Sequence, residues 1–165
     1  MVVAAMDART IPDGFVRLSA SMRLRSAPER VVSLLDDCIT PWTKGLVAHP
    51  DSPELRRFVV DLRLRIGGEL AAFTTVRKAA YLDLGWLRRV ATGWQCEVGW
   101  RASTAAPLFP VFSGWLTIGP EELRIDGLYA PPGGTLGRIA DRVLLHTAAN
   151  ATARWVLGEI DRAAA

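Results

Sequence analysis

Apolar and polar residues alternate with a period of two along most of the chain, and the alternation stops at one point. In the first segment of this kind, Phe15 to Arg25, every second residue is apolar and the others are mainly arginine and serine. This pattern is typical of a β-strand that buries one face. The Pro-Pro-Gly-Gly run at 131–134 ends the last such segment, and no proline follows it. The chain therefore divides into a strand-rich part and a final helix, which indicates an α+β fold.

The strand-rich part contains five more alternating segments. They are Phe58–Ile66, Leu70–Leu84, Gly93–Ser103, Val111–Ile118 and Glu122–Ala130. The first also fits a helical face, but its β-branched residues and the following Gly67-Gly68 pair favour a strand. Lys78 interrupts the apolar face of the second, where we expect a β-bulge. The residues 119–121, Gly-Pro-Glu, predict a tight hairpin between the last two. No connection between the later strands is long enough for a helical crossover, so the sheet is predicted to be antiparallel, with about six strands.

Two regions are predicted to be helical. A short amphipathic helix follows the first strand, with Pro28 in its first turn and an end near Asp36 and Asp37. Residues 45–53 are predicted as a loop with room for one more helical turn. One long helix is predicted from Leu136 to about Arg162. At about 100° per residue, one stripe of this helix combines apolar and polar residues: Leu136, Ile139, Ala140, Val143, Leu144 and Ala151, with Thr147, Asn150 and Arg154.

Length and composition restrict the class of protein. The 165 residues fit one domain, for which we expect residues 15–163 after a tail at 1–14. Half of the residues are hydrophobic and 22% are charged, which excludes intrinsic disorder. No apolar run is long enough for a transmembrane helix, and Asp7 interrupts the apolar start, so we expect neither an integral membrane segment nor a signal peptide. A cytoplasmic location is therefore expected. The arginines are dispersed and the net charge is only +3, so nucleic acid is not an expected partner.

The sequence contains no recognisable metal or cofactor motif. Its two histidines, His49 and His146, lack metal-ligand spacing, and no metal or cofactor is expected. Cys38 and Cys96 are far apart, and we expect two buried thiols. No Gly-x-Ser-x-Gly elbow is present. Catalytic residues are therefore not assigned from the sequence.

Three segments resemble a known group of proteins. The residues at 98–102 (Val-Gly-Trp-Arg-Ala), at 109–116 and at 128–146 are similar to bacterial proteins of the START-like superfamily, also called SRPBCC. This superfamily includes lipid-transfer START domains, plant pollen-allergen-like proteins and polyketide cyclases. The resemblance covers Phe15 to the C-terminus. It implies the helix-grip fold, in which a curved antiparallel sheet wraps around a long C-terminal helix, with short helices after the first strand. It also implies a cavity between sheet and helix, without a universal catalytic set.

Candidate pocket residues come from both layers of this fold. Alternation places Met22, Leu64, Trp100, Phe112, Leu116 and Tyr129 on the inward side of the strands, and the helix stripe adds Val143, Thr147, Asn150 and Arg154. The last three are polar and need hydrogen-bond partners if buried. They would either hold the polar end of a ligand or reach solvent where the helix emerges, and Arg154 as a cyclisation catalyst is a further reading. Trp115 is expected to point outward, where it would offer a surface to a partner.

The leading hypothesis is binding or carriage of a small hydrophobic molecule, such as a lipid, a polyketide or an isoprenoid-like compound. A polyketide aromatase/cyclase-type enzyme is the second hypothesis, and a protein-interaction module with a closed core is the third. An enzyme is less favoured because no acidic or histidine side chain is clearly predicted on the inward side of the strands: Asp61, Asp83 and Asp126 all lie on the polar face. The oligomeric state stays open.

Overall fold

An antiparallel sheet and two helices make up the part of the chain that the structure, a computed structural model, describes. That part comprises residues 14–37, 43–47, 52, 54–66, 74–103, 111–130 and 142–165, without the side chains of 44, 46, 63–66, 74–78, 142–145 and 148. The strands are β1 (Val16–Arg23), β2 (Thr43–Val47), β3 (Arg56–Ile66), β4 (Thr74–Leu84), β5 (Arg88–Val90), β6 (Gly93–Ala102), β7 (Val111–Ile118) and β8 (Glu122–Ala130). The helices are α1 (Pro28–Asp36) and α2 (Arg142–Ala164).

The strands follow the order β1-β8-β7-β6-β4-β3-β2, and β5 pairs with β6 outside this path. Every neighbouring pair is antiparallel, as predicted. The alternation in β1 is also confirmed, since Leu18 and Ala20 are buried between exposed Arg17 and Ser19. The predicted hairpin joins β7 to β8, and the Gly119 N–H donates to the Glu122 carbonyl at 2.8 Å. The α+β architecture with a C-terminal helix is therefore confirmed.

Three local predictions were wrong. Residues 43–47 form β2 although 45–53 was predicted as a loop, because pairing with β3 stabilises a segment whose own strand signal is weak. The short strand β5 was missed for the same reason, and it pairs with the beginning of β6. No bulge occurs at Lys78: the register runs without a shift from Arg56↔Leu84 to Ile66↔Thr74. Residues 67–73, including the predicted Gly-Gly turn and the start of the predicted second segment, lie outside the described residues.

Helix α1 begins at Pro28, as predicted, because a proline in the first turn loses no hydrogen bond that the helix would make. Val31 and Leu35 are its buried residues. Its C-terminal carbonyls are held by a buried arginine of β3: Arg56 Nη1 donates to Leu35 O at 2.7 Å and to Asp36 O at 3.3 Å. Arg56 Nη2 donates to Gly85 O at 3.0 Å, so this side chain ties α1 to the turn after β4. It is the one short helix described after β1, where more than one was expected.

Helix α2 lies against the sheet and contacts β1, β3, β8 and α1. We call the face of the sheet that packs against α2 the inner face, and the opposite face the outer face. The buried face of α2 carries small and aliphatic residues, namely Ala149, Ala153, Val156, Leu157 and Ile160. Near the end of the helix, Asp161 is also buried and accepts the backbone N–H of Arg25 at 3.0 Å. The predicted start at Leu136 lies outside the described residues.

The predicted stripe of α2 was wrong in the described half of the helix. Thr147 and Arg154 are exposed and Asn150 is half-buried, whereas Ala149 and Ala153 are fully buried. Positions 147 and 149 differ by about 200° around a helix, so the buried face is nearly opposite the expected one. The physical reason is that alanines occur on several sides of this helix. Periodicity alone therefore does not select the side that the sheet covers.

Candidate functional site

A row of three aromatic side chains crosses the inner face of the sheet. Trp100 of β6 pairs with Phe112 of β7, and Phe112 pairs in turn with Tyr129 of β8. All three are buried, and each exposes 2% of its surface or less. The Trp100 and Phe112 rings are stacked, with centroids 4.0 Å apart and planes inclined by 19°. The predicted inward orientation of all three residues is thus confirmed, and the strand register brings them into contact.

Two glycines beside this row determine the position of the Phe112 ring. Gly114 of β7 pairs with Gly127 of β8, one pair further along the sheet on the same face. A Cβ atom at either position would lie 2.7 Å from Phe112 Cζ. The aromatic ring therefore covers the surface of the glycine pair, where side chains would otherwise stand. Sequence analysis missed this contact, although two glycines in the middle of neighbouring strands were a signal for it.

The indole N–H of Trp100 is a buried donor without an acceptor in the described part of the chain. Trp100 exposes 1% of its surface, and its Nε1 atom has no hydrogen-bond partner among the described residues. Leaving such a donor unpaired costs about 1–3 kcal/mol, and most buried donors in native proteins are paired. A ligand with an acceptor atom could accept a hydrogen bond from this donor while its apolar part packs against the aromatic rings.

The first described turns of α2 approach the same row. The ring of exposed His146 lies beside that of Tyr129, with centroids 6.2 Å apart and planes inclined by 39°. Tyr129 lies near the end of β8, and Trp100 lies near the end of β6. The row therefore stands at the end of the sheet at which β6 and β8 finish and the described part of α2 begins. We call the surface formed by Trp100, Phe112, Tyr129 and His146 the aromatic site.

The other candidate pocket residues are distributed differently. Leu116 is buried on the inner face, and Met22 is half-buried and packs against the core. The side chains of Leu64 and Val143 lie outside the described part of the chain. Asn150 donates from Nδ2 to the His146 carbonyl at 3.0 Å, a bond within its own helix. The proposed contact of Thr147, Asn150 and Arg154 with a ligand stays a prediction, but it can no longer rest on their being buried.

Cys96 lies on the inner face next to Leu116 of β7 and is a free, buried cysteine. Burial raises the pKa of its thiol from an ordinary value of 9.0 to about 12, against a smaller opposing effect of the positive charge of Arg56. The thiol is therefore neutral at physiological pH and is not an activated nucleophile. Cys38 lies outside the described residues. Within the described ranges, no three histidine, cysteine, aspartate or glutamate side chains are grouped as metal ligands.

The outer face carries a groove of about 200 Å³. Arg57 and Asp83 form one side of it and are joined by two hydrogen bonds, from Arg57 Nε to Asp83 Oδ1 at 2.6 Å and from Arg57 Nη2 to Asp83 Oδ2 at 2.8 Å. Its floor is Gly99 of β6, whose pairing partners are Asp83 and Ser113. Trp115, predicted to face outward as an open surface, is half-buried, with the Arg88 guanidinium 4.5 Å from its ring centroid.

No helix among the described residues combines the length and the apolar character needed to cross a bilayer.

Comparisons with known proteins identify the fold. No protein-family model and no curated protein sequence matches the chain. Among solved structures, TTHA0849 from Thermus thermophilus is similar with a TM-score of 0.53 and 12% identity, over 90% of this chain and 97% of that chain. The di-domain ARO/CYC BexL from the BE-7585A biosynthetic pathway has a TM-score of 0.51 and 14% identity, over 93% of this chain and 51% of that chain. This chain thus spans about half of BexL.

The Zhui aromatase/cyclase from Streptomyces sp. R1128 is also similar, at a TM-score of 0.49 and 14% identity, over 91% of this chain and 93% of that chain. The strand order, the helix on the inner face and the likeness to the first two structures agree with one another. The chain therefore has the START-like, polyketide-cyclase-like fold that the resemblance of its sequence implied.

Proposed function

We propose that the protein binds a small, largely apolar molecule between the inner face of the sheet and α2, at the aromatic site. The observation that carries this proposal is the unpaired N–H of Trp100, buried in a row of aromatic rings. Aromatic walls with one or two fixed polar groups are the usual composition of a site for small apolar ligands. We infer that the ligand presents a hydrogen-bond acceptor, such as a carbonyl oxygen, to this donor.

The chemistry of the site supports binding of an apolar body in a defined orientation. The stacked Trp100 and Phe112 rings offer polarisable surface, and the single donor distinguishes one end of the ligand from the other. A hydrogen bond to a buried unpaired donor contributes more to the binding free energy than a hydrogen bond to a donor that water already satisfies. The reason is that the energetic cost of the unpaired donor disappears on binding. Lipids, polyketides and isoprenoid-like compounds with a carbonyl or carboxyl group all fit this description.

The decisive experiment compares two probes that differ in one oxygen atom, 1-tetralone and tetralin. Calorimetry on the wild-type protein should give an affinity about tenfold higher for the ketone, since one net hydrogen bond is worth about 1.4 kcal/mol. Trp100→Phe should remove that preference and leave the binding of tetralin nearly unchanged. Trp86→Phe is the matched control, because Trp86 is exposed and has its ring against Arg56 instead. Equal affinity for the two probes, or a preference that survives Trp100→Phe, would refute the proposal.

Native mass spectrometry provides an independent test of carriage. Protein expressed in a heterologous host should retain a hydrophobic mass that is released on denaturation. A protein that is always empty and that also rejects fluorescent lipids would argue for a closed core and thus for the interaction-module hypothesis. Arg154→Ala tests the sequence-based idea of a polar anchor on α2. Because Arg154 is exposed, we expect little change in stability, and any loss of uptake then reports on binding.

Cyclisation of a poly-β-keto chain is the second candidate function. It is favoured by the contact of Tyr129 with His146, which places a phenol and an imidazole beside the apolar row. Such a pair can move a proton while the aromatic walls hold a folded chain in position. The test is to supply the protein with a polyketide synthase that releases an uncyclised chain and to analyse the products. The same product distribution with wild type, with Tyr129→Phe and without the protein would exclude this function.

A further inference from the structure

The groove on the outer face exists because one strand position there lacks a side chain. Gly99 stands between Glu97 and Arg101 on the outer side of β6, and all three line the groove. The neighbour of Gly99 on β7 is the small residue Ser113, and its neighbour on β4 is Asp83. A Cβ atom at Gly99 would lie 3.1 Å from the Phe112 carbonyl oxygen, and apart from the chain neighbours of Gly99 no second atom of the described residues lies within 4 Å of it. Among the described residues, the space above Gly99 is therefore unfilled.

Four charged side chains surround this space. Two of them, Arg57 and Asp83, pair with one another, and Glu97 and Arg101 do not pair with any described residue. Arg57 and Asp83 neutralise one another through their two hydrogen bonds. The side chains of Glu97 and Arg101 are half-buried, and neither forms an ion pair or a hydrogen bond with any described residue. Among the described residues, Arg101 contacts the ring of Tyr81, whose centroid lies 5.9 Å from the guanidinium carbon. A negative and a positive group thus stand at the two ends of one groove, and both can accept a ligand.

The distance between Glu97 and Arg101 restricts the size of a ligand that could contact both side chains. Four residues along a strand span about 13 Å, and both long side chains can lean towards the gap over Gly99. Two charge-assisted hydrogen bonds of about 2.8 Å each then leave room for a short molecule that carries both charges. Leu55 and Val111 supply apolar surface at the rim, and Val111 is 50% exposed. A volume of about 200 Å³ is smaller than the range of about 300–1,000 Å³ typical of drug-sized ligands.

We propose that this groove binds a small zwitterion, an α-amino acid with an aliphatic side chain. Its ammonium group contacts the Glu97 carboxylate, its carboxylate contacts the Arg101 guanidinium, and the Ser113 hydroxyl is placed to donate to the same carboxylate. The aliphatic side chain lies against Val111, which stands beside Arg101 on the neighbouring strand β7. This site lies on the face of the sheet opposite α2, and the groove is also lined by Trp100 and Phe112 of the aromatic site. The protein would then couple an apolar ligand on one face of its sheet to an amino acid on the other.

The test uses three probes with the same aliphatic body. L-Leucine carries both charges, 4-methylpentanoate lacks the ammonium group and 3-methylbutylamine lacks the carboxylate. Titrations followed by NMR shifts of the Glu97, Gly99 and Ser113 amides should give leucine an affinity about tenfold higher than either analogue, since hydrogen bonds between charged groups are the stronger ones. Glu97→Gln should abolish the preference for leucine over 4-methylpentanoate and keep the preference over 3-methylbutylamine. Arg101→Met should abolish the preference over 3-methylbutylamine and keep the preference over 4-methylpentanoate.

Two further variants separate binding from folding. Gly99→Val fills the groove with a residue that strands accept, and leucine binding should be lost. Ser19→Val makes the same kind of change on the outer side of β1, outside the groove, and should leave binding intact. If Gly99→Val does not fold, the two charge variants decide the question. The proposal is overturned if leucine fails to bind, if it binds no better than the analogues, or if it binds equally well to Gly99→Val.

Discussion

Two buried polar side chains of this protein differ in their hydrogen-bond partners. The side chain of Arg57 is 4% exposed, and its guanidinium donates hydrogen bonds to both carboxylate oxygens of Asp83, so its charge is paired. The indole of Trp100 is equally buried but has no acceptor among the described residues. Removing one partner of a matched buried pair would leave an uncompensated charge and destabilise the fold, and an unmatched donor reduces stability unless something else supplies the acceptor. Because of this contrast, we propose that Trp100 binds a ligand and that the Arg57–Asp83 pair has a structural role.

The raised pKa of Cys96 predicts a loss of stability at alkaline pH. The unfolded thiol ionises near pH 9.0 and the folded one near 12, so the stabilising difference is complete below pH 9 and disappears as the pH rises towards 12. At pH 10 the expected loss is about 1.4 kcal/mol, relative to pH 8. Urea unfolding of the wild type and of Cys96→Ala at both pH values measures it. The variant should lack this part of the pH dependence, and identical slopes in the two proteins would contradict the assigned burial effect.

At the scale of single elements, the environment of each glycine decides what it contributes. Gly158 lies in α2, and a Cβ atom there would meet no atom of the described residues within 4 Å, the backbone of its own helix aside. Gly114 lies in β7, and a Cβ atom there would collide with the Asp126 carbonyl oxygen and approach Phe112 Cζ to 2.7 Å. The first glycine only weakens its helix, whereas the second makes the close packing of β7, β8 and the aromatic ring possible.

Alanine substitutions at these two glycines should therefore have opposite effects. Gly158→Ala should raise the free energy of unfolding by about 0.5–1 kcal/mol, because alanine is the better helix former. Gly114→Ala should lower it by about 2 kcal/mol, since the carbonyl oxygen and the ring must both move. Chemical denaturation of the two variants beside the wild type gives both values. A stabilised Gly114→Ala protein would show that Phe112 does not occupy the surface of the glycine pair.

Four elements show why some sequence-based predictions were confirmed and others were wrong. The alternation in β7 and β8 is continuous, and their observed bounds, Val111–Ile118 and Glu122–Ala130, are those predicted. β2 has only five residues and includes a glycine, so its strand conformation depends on pairing with β3. In α2, apolar residues on several sides left the buried face ambiguous, and contact with β1, β3 and β8 resolved it.

At the scale of the whole molecule, one sheet and one long helix share a single apolar core. The core cluster takes residues from β1, β3, β4, β6, β7 and β8 and from both helices. Arg56 and Asp161 form hydrogen bonds that connect elements far apart in sequence. No described part of the chain has a separate core. A single domain over residues 15–163 stays a prediction.

A shared core predicts one cooperative unfolding transition. Urea titration followed by far-ultraviolet circular dichroism reports the helices and strands, and the fluorescence of the six tryptophans reports the packing around them. The two curves should coincide, with one midpoint and one slope. Saturating 1-tetralone should move both curves together to higher urea, because a ligand that binds only the folded state stabilises the whole unit. Two separate midpoints would show that α2 or an edge strand unfolds independently.

The aromatic site could be foreseen only in part. Alternation indicated that Trp100, Phe112 and Tyr129 face inward, but not that they are neighbours or that the indole N–H lacks an acceptor. The outer groove could not be foreseen, since it depends on Asp83 and Ser113 standing beside Gly99 on two other strands. Strand periodicity, the proline-started helix and the final helix were determined by the sequence alone, because each depends on interactions between residues a few positions apart. Strand order, the buried side of α2 and both candidate sites were decided by the tertiary structure, since they depend on pairing and packing between distant segments.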